Sequence, residues 1–161
     1  MARAFIIFAL VTLAVASCDE EGSEESIREA DVYAAMIREL APDPAGDPTP
    51  PTDELEHAVF AGPLVATGTI PIEVQVAVVD DLEDLADIRF VDHRTEALSK
   101  DEDEKVLERG VLVLLGPVPE GPSPTVAAVR YVDRDDFERV FVDLRGSGEE
   151  WRVEDIRPVA R

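Results

Sequence analysis

The chain has 161 residues, 45% hydrophobic and 32% charged, which suits one globular domain rather than a disordered chain. Its 36 acidic residues against 15 basic ones leave a formal charge of -21, which argues against a nucleic-acid partner and against electrostatic attraction to anionic lipid head groups. A single cysteine, Cys18, excludes an intramolecular disulfide and a multi-cysteine zinc site.

Arg3 precedes an apolar run over residues 4–16 whose only polar member is Thr12, the pattern of an export-signal h-region. As a helix this run rises about 20 Å, short of the about 30 Å hydrocarbon core of a bilayer. No later stretch is as apolar for as long, so no membrane-spanning helix is expected downstream. The run ends in Val15-Ala16-Ser17-Cys18, which resembles the lipobox of bacterial lipoproteins. The resemblance implies removal of residues 1–17, acylation of the Cys18 thiol, and anchoring on the extracytoplasmic face of the cell membrane. Two acyl chains hold a protein stably, since each buried methylene contributes roughly 0.8 kcal/mol. Two other readings stand beside it. Ala14-Val15-Ala16 fits ordinary signal peptidase and would release a soluble protein from Ser17. Alternatively, Cys18 is a core cysteine of a cytosolic chain. A lone cysteine placed at the end of the h-region favours lipidation.

Residues 19–25 (DEEGSEE) read as a solvated acidic tether, so residues 18–26 link the anchor to one domain over 27–161. Residues 26–40 predict a helix, with Ser26 and Glu29 as a capping box and Ile27, Ala30, Tyr33, Ala34, Ile37 and Leu40 on one face. Pro42 stops it, and residues 41–53 form a proline-rich loop. A short strand starts at His57. Residues 71–85 fit both periods; helix is preferred, with Pro71 at its first position and Ile72, Val76, Val79 and Leu82 sharing a face. Strands follow at 88–92 and, fully apolar and hence central, at 111–115. A charged loop lies over 100–105 and a proline-glycine loop over 116–124. Residues 125–132, 138–145 and 150–157 read as three antiparallel strands, with a turn at 146–148 and an irregularity near Asp155. Val140, Val142 and Leu144 share a face with Trp151 and Val153.

This order predicts an α+β fold, an antiparallel sheet of about five strands with helices packed on one face. The final third resembles small bacterial lipoproteins of cystatin-like or NTF2-like shape. That likeness implies a shape and no activity.

Recognisable catalytic and nucleotide-binding motifs are absent from the sequence. Glu54, Glu56 and His57 form one polar cluster, and Asp92, His93 and Glu96 another; neither supplies a zinc site, and both read as surface residues. The acidic windows 80–87, 101–104 and 133–136 suit calcium by donor type, but none has the alternating ligands of an EF-hand loop. No catalytic, metal-binding or cofactor-binding residue is assigned, no cofactor is expected, and Cys18 is the one candidate site, for lipidation. The expected function is a binding or interaction module of the cell envelope rather than an enzyme. The membrane is contacted through the anchor, and any electrostatic protein partner is basic. Two alternatives stand: a small enzyme or ligand-binding protein with an NTF2-like pocket between helix and sheet reached by Asp92 or His93, and a calcium-dependent envelope protein. A core filled by Tyr33, Phe90 and Trp151 counts against the pocket.

Overall fold

In the computed structural model, residues 20–41, 58–147 and 150–160 are described. The leader, Cys18, the proline-rich residues 42–53, the Glu54/Glu56/His57 cluster and the tip of the last hairpin lie outside them.

A helix between two strands returns the chain to the end it started from, so the strands it joins run parallel. That happens once here. Strand β1 (Ala58–Pro63) leads into helix α2 (Ile72–Asp81) and back into β2 (Asp87–Phe90), which pairs parallel with β1. Residues 91–110 then cross back, and β3 (Val111–Leu115) pairs parallel with the other side of β1. From there β4 (Thr125–Tyr131), β5 (Phe137–Ser147) and β6 (Glu150–Pro158) form an antiparallel meander. The fold is α+β, but the expected five-stranded antiparallel sheet is a six-stranded mixed one, in the order β2-β1-β3-β4-β5-β6. The parallel half comes from two crossings, through α2 to β2 and through residues 91–110 to β3.

One face of the sheet carries both helices. Val59, Ala61, Val113, Leu115, Val126, Ala128, Val140, Val142 and Leu144 pack there with helix α1 (Glu20–Leu40) and with Val74, Val78 and Leu82 of α2. Tyr33 is buried in this core, and Phe90 and Trp151 pack against it. The bulge expected near Asp155 is present: Asp143 faces Asp155 while Leu144 faces Val153, leaving Glu154 as the extra residue.

Both helices differ from the sequence reading. α1 begins at Glu20, so Ser26 lies inside it and caps nothing, and most of the acidic run is helical rather than a free tether. Glutamates are good helix formers, and carboxylates near a helix start interact favourably with its dipole. Val32, Ala35 and Met36 are buried as completely as the expected stripe, because α2 packs on a second side of α1, whereas Ile27 is exposed. In α2, Pro71 is the N-cap rather than the first helical residue, and its carbonyl accepts the Gln75 amide at 3.0 Å. The buried face is Val74, Val78 and Leu82; Ile72, Val76 and Val79 point outward. The helix is apolar on both sides, so its period could not choose which side faces the core.

Candidate functional site

Alternation along the strands puts a second set of side chains on the face without helices. Part of that face is covered. Residues 91–110 lay Ala97 and Val106 over Ala58, Phe60, Leu112 and Tyr131 to form a second, smaller core. Tyr131 fastens the cover by donating its hydroxyl to the Glu104 carbonyl at 3.1 Å, and the Arg94 guanidinium lies 4.4 Å from the centre of its ring. Arg94 also pairs with Glu104 at 3.3 Å. The Arg134 amide donates to the Asp103 carbonyl at 3.3 Å, tying the β4–β5 turn to the same segment.

The cover stops short of β5 and β6. Beyond it the register sets Tyr131 opposite Phe137, Val129 opposite Arg139 and Ala127 opposite Phe141. The Val159 amide donates to the Arg139 carbonyl at 2.8 Å, which brings Val159 alongside the same row. Phe137, Phe141 and Val159 remain 37%, 40% and 39% exposed. Together with Leu114 and Val129 they floor an open groove of about 790 Å³, within the roughly 300–1,000 Å³ of small-molecule sites. Its walls include Asp92, His93, Arg94, Glu104, Arg134 and Arg139.

At the outer end of this face, Arg157 grips Asp143 with two hydrogen bonds of 2.8 Å, and Thr125 donates to the same carboxylate at 2.6 Å. These contacts, the Arg157 hydrogen bonds foremost, hold the Asp143 carboxyl below the usual carboxylate range. Arg157 is thereby neutralised. Arg134 and Arg139, by contrast, form no ion pair among the described residues.

The polar clusters read from sequence have mostly local duties. Asp92 and His93 do line this groove, which lies on the sheet face opposite α1 and α2; Glu96 is not among its lining residues. The acidic windows are spent singly. Asp81 pairs with Arg38 at 2.9 Å, and Asp87 accepts from Arg89 at 2.8 Å. Asp133 accepts the amides of Asp135 and Asp136 at 2.8 and 2.9 Å, which closes the β4–β5 turn. Those bonds, the Asp136 amide foremost, lower the Asp133 carboxyl. Among the described residues no three His, Cys, Asp or Glu side chains gather as a metal site would need. Trp151 packs half-buried against the helix-side core, with the Arg28 guanidinium 5.2 Å from its ring. Arg28 also donates to the Pro119 and Gly121 carbonyls at 2.7 and 2.8 Å, pinning the proline-glycine loop to α1. The buried Tyr33 hydroxyl lies 2.7 Å from Glu29 Oε1 and 3.0 Å from the Gly116 carbonyl, and burial beside that carboxylate pushes its pKa well up.

Sequence reasoning missed Phe137, Arg139, Phe141 and Val159. A signal was available. β5 carries large apolar residues at both parities, Phe137 and Phe141 as well as Val140 and Val142, more than a strand with one solvated face requires. Comparison of the chain with family models, with curated proteins and with solved structures finds no match.

Proposed function

We propose that this chain is a membrane-anchored extracytoplasmic lipoprotein whose domain is a binding module of the cell envelope. The anchor is Cys18, acylated after removal of residues 1–17, and the basis for it is the lipobox Val15-Ala16-Ser17-Cys18. The binding role rests on one observation, the groove that the described residues leave open, floored by the partly exposed Phe137, Phe141 and Val159. Large apolar side chains left exposed together in a concave site mark a place where something docks. A single sheet with both helices on one face is compatible with a cystatin-like or NTF2-like shape. The parallel β2-β1-β3 half departs from an all-antiparallel one, and Tyr33, Phe90 and Trp151 packing in the helix–sheet core count against an NTF2-like interior pocket.

The test is a native mass spectrum of the protein taken from its own membranes. A mass for residues 18–161 plus two or three acyl chains, with a further mass from a bound molecule, is the expected result. A mass that begins at Ser17 without lipid overturns the anchor. An anchored protein that never carries a further mass, and that captures none from an envelope extract, overturns the binding role.

A further inference from the structure

We infer that the groove takes an anionic single-chain amphiphile, an acyl chain with a carboxylate head held at Arg139 and Arg134; the inference rests on the binding-module reading and names its ligand class. The first ground is a local reversal of charge. The chain as a whole carries -21, yet the groove is walled by Arg94, Arg134 and Arg139 against the carboxylates of Asp92 and Glu104. Glu104 is engaged by Arg94. Among the described residues Arg28, Arg109 and Arg152, which do not line the groove, have no ion pair, whereas Arg38, Arg89, Arg94, Arg130, Arg145 and Arg157 are paired. Arg134 and Arg139 are not, among the described residues. The second ground is where Arg139 stands. Phe137 and Phe141 flank it on the same strand face, Val129 faces it from β4, and Val159 lies beside it just past the end of β6. A cation rising from an apolar floor suits a ligand with an anionic head and an apolar body.

The backbone argues for an acyl chain over an acidic peptide. β4 and β5 are internal strands: β5 ladders with β4 over 137–143 and with β6 over 140–147, and β4 ladders with β3 over 128–131. A peptide recognised by strand addition needs an open edge. Laid across this floor it would bury its own amides without partners, at a cost of about 1–3 kcal/mol each. A hydrocarbon chain incurs no such cost.

The experiment uses the chain from Cys18 onward, made without acylation, which contains every described residue. Decanoate, below its micellar concentration, and 1-decanol are titrated while the amide and side-chain resonances are followed by NMR. The expected result is saturable binding of decanoate with shifts confined to Phe137, Arg139, Phe141, Val159 and their neighbours. Arg139→Gln should weaken decanoate by about tenfold or more, the loss expected when one charged hydrogen-bond partner is removed, and leave decanol unchanged. Phe141→Ser should weaken both probes. Equal affinity for the two probes, or indifference of decanoate to Arg139→Gln, overturns the inference and leaves the groove a binding site for uncharged apolar ligands. No shift in the groove with decanoate also overturns it, and the mass of a co-purifying molecule then decides separately whether the domain is a binding module.

Discussion

Gly110 precedes β3 with its backbone against β1. A β-carbon there would overlap the Ala58 carbonyl, which belongs to a strand and cannot swing aside. Gly110→Ala is therefore expected to cost about 1–3 kcal/mol, as overpacked sites do, read as a lowered midpoint in urea unfolding. Asp143 tests a charge instead of a volume. Its carboxyl titrates below its ordinary range in the folded protein because Arg157 and Thr125 donate to it. A depressed folded pKa stabilises at pH values above the unfolded one, near 3.9, and the contribution disappears as pH falls through the folded value. Asp143→Asn should thus be less stable than the parent at pH 7. The difference should begin to shrink near pH 4 and close only as pH falls through the lower folded value, where the parent's carboxyl is also protonated. Thermal melts of both proteins between neutral and acid pH check it; a gap that persists unchanged in acid would assign the effect to packing.

At the scale of the element, α1 shows how a neighbour rewrites a helix face. Its apolar period is readable, and Ala30, Tyr33, Ala34, Ile37 and Leu40 are buried as that period says. Ile27 fits the same period and is 53% exposed, since it lies on the N-terminal part of a helix whose C-terminal part, Val32 through Ile37, is the buried one. Ile37→Ala should cost about 2–5 kcal/mol, while Ile27→Ala should stay within about 0.5 kcal/mol. Equal losses in chemical denaturation would mean that the helix is packed along its whole length. α2 teaches the complementary lesson. Two apolar stripes, Val74-Val78-Leu82 and Ile72-Val76-Val79, compete for the core, and the connection from β1 to β2 decides which wins.

For the whole molecule the dominant long-range term is self-repulsion among 36 acids facing 15 bases. The surface ion pairs are exposed and contribute little each. Raising salt from about 10 to 150 mM shortens the Debye length from about 30 to 8 Å, which screens the repulsion over most of the domain. The melting temperature should therefore rise by a few degrees across that range, as calorimetry can record. A fall would mean that the ion pairs outweigh the repulsion.

The local elements were legible because their causes are local. The strand periods of β3 to β6, the proline before α2 and the bulge near Asp155 each depend on residues a few positions apart. The inward face of the last hairpin could be read the same way, since Val140, Val142, Leu144, Trp151 and Val153 do lie together. What depended on distant parts of the chain was not legible. The parallel placement of β2 and β3 about β1 comes from two crossings that sequence order does not show. Among the described residues the groove exists because residues 91–110 cover one half of a sheet face and stop short of Phe137, Arg139 and Phe141 on the other half. The sequence by itself determined which segments are helix or strand and which strand faces are apolar; only the tertiary structure decided which of those faces is covered. Burial is a relation between segments, and no period within one segment contains it.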